Sequence, residues 1–256
     1  MALGLYAYGV IETGALSESL DPAGLDPEHP VSIFPIGGLA VIVSEVEISE
    51  FEGKELENNL ARPEWLEAKV RAHERVLDAA IERTTVVPMR FGSIFSNPDS
   101  LASMMNDHQE DLTQSLDLVR GKAEWGVKVH YQPEEGAAQL VGTTPEAVTG
   151  RDYLVRKQEE LRAVEEASAL AQRAAEEIHE QLKRVADQAV LTQPVGPANR
   201  NLVLSVAYLV AEGSRETFME SVGNMQQELA GKYLFEVTGP WPPYNFTSVD
   251  VSGPRS

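Results

Sequence analysis

The sequence predicts an α+β protein of two domains, the second a ferredoxin-like unit with a long helix. Three observations carry this. Short β-branched runs alternate with segments of helical periodicity along the whole chain. From residue 124 the elements run strand, helix, strand, strand, helix, strand, the order of a ferredoxin-like unit. Residues 151–187 hold one helical pattern that would extend about 55 Å if unbroken. A chain of 256 residues fits one to two domains. The change of element order places the boundary near Gly121, giving an N-terminal α+β domain at 1–120 and a C-terminal domain at 121–256.

Residues 3–11 alternate and are rich in Tyr, Val and Ile, as a strand requires. Residues 13–30 carry Pro22, Gly24, Pro27 and Pro30 and read as a surface loop. Residues 31–36 and 39–46 are β-branched runs joined by Gly37-Gly38, a hairpin signal because glycine accepts positive φ. Pro63 opens a helix at its first position, with Leu66, Val70, His73, Leu77 and Ala80 on one stripe. Residues 84–89 form a further strand. Asn97-Pro98 is a cap followed by a first-turn proline, and Leu101, Met104, Met105, His108, Leu112, Leu116 and Val119 line one helical face up to Gly121.

The second half opens with a strand at 124–131 and a Pro/Gly-rich loop at 132–150. On the long helix Leu161, Val164, Ser168, Ala171, Ala175, Ile178, Leu182 and Val185 follow a seven-residue pattern, with alanines that permit close packing. A short strand near Val190 and a Pro/Gly turn at 193–199 precede 202–210, a strand apolar on both faces. Ser214 caps a helix whose face is Phe218, Val222, Met225 and Leu229. Residues 233–237 form the last strand, and Gly239-Pro240-Trp241-Pro242-Pro243-Tyr244 ends regular structure.

Composition excludes several function classes. The chain is 43% apolar and 24% charged, which is globular usage and not that of a disordered chain. Forty acidic against 21 basic residues give a net charge of −19, a field that repels nucleic acid and anionic membrane surfaces. There is no cysteine, so disulfides, thiolate metal sites and cysteine nucleophiles are ruled out. The N-terminus has no positive charge before its apolar run, and the longest apolar stretch, 33–43, is broken by Pro35, Gly37 and Gly38. These features predict a cytoplasmic protein without a lipid-membrane partner.

The chain has no phosphate-binding glycine loop, nucleophile elbow or His-Glu-x-x-His helix. Its five histidines, at 29, 73, 108, 130 and 179, have no metal-pair spacing. His73 and His108 fall on apolar helical faces and read as partly buried, hydrogen-bonded residues. The Glu pairs of the long helix fall among Arg162, Arg173 and Lys183, as on a solvated face. No catalytic residue, metal or cofactor is expected. Two segments remain. In Val87-Pro88-Met89-Arg90-Phe91-Gly92-Ser93-Ile94-Phe95, the apolar flanks predict a buried Arg90 paired with a carboxylate. In residues 238–246, three prolines beside aromatics suit either an extended docking segment or a rigid tail packed on its own domain.

These two segments, with residues 4–9, His73–Leu77, Glu124-Trp125-Gly126-Val127-Lys128-Val129, Gly150–Leu154 and Ala207-Tyr208-Leu209-Val210, resemble the gas vesicle protein F/L family (GvpF/GvpL). They occur in family order and cover nearly the whole chain. The motif residues singled out by the resemblance, or as partner contacts, are Arg90, Phe91, Gly92, Trp125, Tyr208, Pro240, Trp241 and Tyr244. The resemblance implies two α+β domains, the second a modified ferredoxin-like fold. It implies a non-enzymatic role in assembling the gas vesicle, or as a minor part of it. Its implied partners are the major hydrophobic shell protein and other gas vesicle accessory proteins. Two other readings stay open: a chaperone-like adaptor that docks through the long helix, and a small-molecule-binding protein on a ferredoxin-like sheet.

Overall fold

The structure, a computed structural model, describes residues 2–16, 20–132, 150–193 and 201–247. The chain divides into two compact units, Met1–Ala123 with Trp241–Ser256, and Glu124–Pro240. The division expected from element order differs in one respect. The residues after Pro240 fall with the first unit and not the second, because their apolar side chains pack into the first unit's core.

In the first unit β1 (Leu3–Glu12) is central. It pairs antiparallel with β3 (Leu39–Glu47), which pairs in turn with β2 (Ser32–Ile36) across the Gly37-Gly38 turn. Gly37 has φ +63°, the conformation for which the turn needs glycine. On its other edge β1 meets β4 (Val87–Pro88) and β5 (Ile94–Phe95). The single strand expected at 84–89 is therefore two short ones. The chain pairs with β1 twice and turns away from it between, at 90–92, while the Met89 N–H still donates to the Tyr8 carbonyl at 2.8 Å and the Ser93 carbonyl accepts the Ala7 N–H at 2.9 Å.

Helix α1 (Gly53–Leu60) follows a short 3₁₀ turn that the sequence reading left unassigned, and α2 (Pro63–Ile81) carries Pro63 at its start. Ala72, His73, Val76, Leu77 and Ala80 form the buried face of α2. Asn97 caps α3 (Pro98–Asp107) in a reciprocal box with Ser100. The helical face expected to run on to Val119 is broken at His108. This residue leaves helical geometry (φ −114°, ψ 16°), ends α3 and precedes α4 (Gln109–Val119). His108 is half-buried, as expected, with its Nδ1 3.9 Å from an Asp111 carboxylate oxygen.

The register of β1 against β3 slips between Ala7 and Gly9. This bulge puts one extra residue, Tyr8, into β1. The alternation shifts by one, so Tyr6, Tyr8 and Ile11 all enter the same buried cluster. Gly9 then has no room for a side chain. A Cβ there would lie 2.6 Å from Val86 Cγ1, 3.1 Å from the Val87 carbonyl oxygen and 3.2 Å from Leu77 Cδ2.

The second unit is a four-stranded sheet in the order β7-β8-β6-β9, from β6 (Lys122–Tyr131), β7 (Gln188–Leu191), β8 (Leu202–Ala211) and β9 (Tyr233–Trp241). Helices α5 (Gly150–Lys183) and α6 (Arg215–Glu228) complete the expected element order. Ser214 stands before α6, but its side chain makes no capping bond. Strand β9 runs on through Pro240 to Trp241, further than Val237, where the sequence reading ends it. As an edge strand it tolerates a residue that has no N–H to donate. The loops expected at 132–150 and 193–199 lie largely outside the described residues.

The core of this unit joins Trp125, Val127 and Val129 of β6 to Leu204, Val206, Tyr208 and Val210 of β8, beneath Ala175, Ile178 and Leu182 of α5 and Phe218, Val222 and Met225 of α6. Ala171, Ala175, Ile178 and Leu182 of the seven-residue pattern of α5 are buried, and Leu154, Leu161 and Leu170 are exposed. No described helix is long and apolar enough to cross a membrane.

Gly9→Ala should cost about 1–3 kcal/mol through overpacking against Val86 and Leu77. A fall in the urea midpoint with an unchanged slope would show this, and an unmoved midpoint would refute it.

Candidate functional site

The concentration of buried polar groups lies in the first unit, where two tyrosines of β1 point into the core. Tyr6 and Tyr8 have no solvent-accessible surface, so each hydroxyl needs partners within the protein. Tyr8 meets Ser44 Oγ of β3 at 2.8 Å and accepts the Leu25 backbone N–H at 2.9 Å. This ties the 20–31 loop onto the sheet. It also excludes a side chain at Gly24, where a Cβ would fall 2.5 Å from the Tyr8 hydroxyl.

The Tyr6 hydroxyl accepts the Gly92 N–H at 3.1 Å and lies 2.9 Å from Nδ1 of His73 on α2. The other ring nitrogen of His73, Nε2, lies 2.9 Å from the hydroxyl of Tyr244. His73 is thus held between two tyrosines 67 residues before and 171 residues after it. Its ring stacks on those of Tyr8 and Tyr244 and meets Phe91 edge-on. The loop between β4 and β5 supplies Phe91 as a wall and Gly92, at φ +88°, as a donor.

Only 2% of His73 is exposed. Burial pushes its pKa down from 6.5 to about 4, and a hydrogen bond to the Met89 carbonyl offsets part of that fall. A neutral ring matches the site, since one nitrogen donates, the other accepts, and each faces a hydroxyl able to do either. What disfavours the cation is its removal from water, the largest cause of the lowered pKa. Burial likewise raises the Tyr6 and Tyr8 hydroxyls above the ordinary phenol range. The second unit repeats the device on a smaller scale. Tyr208 of β8, fully buried, lies with its hydroxyl 2.9 Å from Nδ1 of His179 on α5.

The structure separates the residues the sequence singled out. Phe91, Gly92 and Tyr244 converge on His73. Trp125 and Tyr208 are core residues of the second unit, with Arg215 lying over the Trp125 ring. Arg90, expected to be buried, is exposed. Residues 86–89 are all buried, and the chain turns away from β1 after the Met89 N–H bonds the Tyr8 carbonyl, which leaves Arg90 at the surface. Pro240 and Trp241 are also exposed. Tyr6 and Tyr8 lie within residues 4–9, which carry the resemblance, but neither they nor Ser44 stand among the candidate site residues. For the tyrosines the available signal is a pair in an otherwise aliphatic strand, and Ser44 has none. Among the described residues no three His, Asp or Glu side chains are grouped to hold a metal ion.

The architecture defines a two-unit α+β protein whose buried polar groups face one another and so fix its own core. Residues 4–248 match the family described as gas vesicle synthesis protein GvpL/GvpF, and the chain belongs to that family. It is 28% identical to gas vesicle protein L of Streptomyces sp. (strain CB03234), over 95% of this chain and 92% of that protein. It is also 28% identical to gas vesicle protein F of the same strain, over 94% and 98%. The fold is similar to the crystal structure of GvpF from Anabaena sp. PCC7120, with a TM-score of 0.71, 18% identity and coverage of 96% and 97%. The GvpF structure from Microcystis aeruginosa gives 0.69, 18%, 96% and 99%. The chain is therefore a protein of gas vesicle formation, and its family is not defined by a reaction.

Because the folded ring binds its proton less readily than the unfolded one, His73 favours folding fully above pH 6.5. That contribution is lost as pH falls from 6.5 towards about 4. The span corresponds to about 3 kcal/mol, at about 1.4 kcal/mol per pH unit. Urea denaturation at pH 7 and pH 4.5 should show a smaller loss for His73→Gln than for the wild type, and equal losses would refute this. Tyr6→Phe, which leaves the Gly92 N–H and Nδ1 of His73 unpaired, should cost about 1–3 kcal/mol at pH 7 in the same assay.

Proposed function

We propose that the chain is a non-enzymatic assembly factor or minor structural component of the gas vesicle, acting in the cytoplasm by binding the major hydrophobic shell protein and other accessory proteins. The observation that carries this reading is the family match over residues 4–248. The physical character of the chain supports it. A net charge of −19 keeps a carrier of an apolar client in solution.

The contact surface we assign is the N-terminal half of α5. Tyr153, Leu154, Leu161 and Leu170 are 50–67% exposed there, while charged neighbours such as Lys157, Arg162 and Glu165 keep the helix soluble. Ala175, on the same helix, is 4% exposed and belongs to the unit's core, and Ala171 is 2% exposed, so neither is available to a partner. Arg90, Pro240 and Trp241 are the other sequence-derived candidates that a partner can reach.

Co-expression with the shell protein should give a complex that co-purifies without nucleotide. Leu154→Glu with Leu161→Glu should abolish co-purification and leave the melting temperature within a few degrees of the wild type. If the wild-type pair never associates, the functional reading falls. If the double variant still binds, the contact lies elsewhere on the surface.

A further inference from the structure

A free sheet edge offers unpaired backbone donors and acceptors to any extended chain, and proteins blunt such edges with proline, charge or very short strands. Most edges of this protein are blunted. Pro35 interrupts β2 at one edge of the first sheet, and β4 and β5 on the far side of β1 are two residues each. At one edge of the second sheet, β9 carries Glu236 and Pro240. At the other edge, β7 carries neither charge nor proline. Its run, Gln188-Ala189-Val190-Leu191-Thr192-Gln193, is uncharged throughout. Val190 is 37% and Leu191 73% exposed.

The register shows which backbone groups of β7 are free. Val190 faces Ala207 and Leu191 faces Val206 on β8. The Thr192 N–H donates to the Ser205 carbonyl at 2.9 Å. Bonded and unbonded pairs alternate along an antiparallel ladder, so Val190, two residues before Thr192, also bonds β8. Ala189 and Leu191 lie between the bonded positions and turn their N–H and carbonyl groups away from β8. Among the described residues no strand meets that side of β7. The side chains are apolar on both faces. Ala189 packs against the unit's core, Leu191 shares its face, and Val190 lies on the opposite one.

We propose that the outer edge of β7 receives an extended strand of the hydrophobic shell protein, which extends the four-stranded sheet by one strand. The inference rests on shell-protein binding for the identity of that strand, and it adds to the α5 contact a second one of different chemistry. Only an extended backbone can use donors and acceptors presented by alternate residues. Side chains of the added strand would stand beside Ala189, Val190 and Leu191, so an uncharged edge calls for an uncharged, apolar strand. Charge and area both argue against a second copy of this chain. Each copy carries −19. An edge of four residues also falls well short of the roughly 1,000 Å² that a stable interface buries. A client held at α5 as well need not reach that area through β7 alone.

Hydrogen exchange read at single residues, together with co-purification, tests this on the full-length chain co-expressed with the shell protein. In the free chain the Ala189 and Leu191 amides should exchange fast and the Val190 amide slowly. In the complex all three should be slow, a change that side-chain contact alone does not produce. Leu191→Pro removes a donor that β8 does not use, and Leu191→Lys puts a charge on the edge. Each should cause loss of the co-purified shell protein and leave the melting temperature within a few degrees of the wild type. If Leu191→Pro destabilises the fold, Leu191→Lys and the exchange measurement decide. A wild-type pair that never associates would bring down the functional reading and this inference with it. A pair that associates while the Ala189 and Leu191 amides stay fast, with both variants still binding, overturns the strand contact alone. Amides already slow in the free chain overturn it too, because the edge is then covered without the client. Light scattering would show whether a second copy or the chain itself covers it.

Discussion

Two tyrosine hydroxyls buried on the central strand of the first unit set the terms for the rest of that unit. An unpaired buried hydroxyl costs more than a hydrogen bond gains, so Tyr6 and Tyr8 each recruit partners from distant parts of the chain. Tyr8 fixes Ser44 and the Leu25 backbone, and with them the loop that needs glycine at position 24. Tyr6 fixes Gly92 and His73, and His73 in turn fixes Tyr244. The aromatic rings supply the apolar packing, and their hydroxyls decide which loop lies where. This is a core that specifies one arrangement, because a shifted loop would leave a hydroxyl or an imidazole without a partner.

Local chemistry made much of the fold legible in the sequence. The Gly37-Gly38 turn, the Asn97 cap, the proline at the start of α2 and the apolar run of β8 each follow from residues close together in the chain. The features that escaped depend on distant contacts. Nothing near His73 announces partners 67 and 171 residues away. The bulge at Tyr8 is a property of register with β3, and the alternation of β1 taken alone gives no sign of it. The exposure of Arg90 follows from the chain turning away from β1 after Met89, which apolar neighbours in sequence do not reveal. The tail shows the same limit. Its prolines and aromatics signal a rigid packed segment, but which unit it packs on is decided by where a hydroxyl-seeking histidine lies.

The long helix shows what a periodic pattern can and cannot say. Its seven-residue repeat runs from Leu161 to Val185; Leu161 is exposed, whereas Ala171, Ala175, Ile178 and Leu182 are buried. A helix of 34 residues extends about 51 Å, whereas a strand of ten residues covers about 33 Å, so one sheet cannot cover the whole stripe. The pattern identifies a face fit for burial, and the dimensions of the sheet decide how much of it is used. A small residue, Ala175, stands where the helix packs on the sheet, and Ala171 one turn earlier is also buried. Large ones remain outside, at Leu154, Leu161 and Leu170.

That division bears on how a strongly acidic protein can present apolar surface and stay dispersed. Exposed leucines on a helix that is otherwise charged are separated by solvated side chains, so they form a stripe and not a continuous patch. Repulsion among copies carrying −19 each opposes contact through such a stripe alone. The site that holds Tyr244 works by another principle. Its specificity lies in an imidazole held neutral and aligned by Tyr6, with aromatic walls that fit a tyrosine ring. An apolar side chain lacking that hydroxyl would leave Nε2 of His73 buried and unpaired, a penalty that discriminates against it.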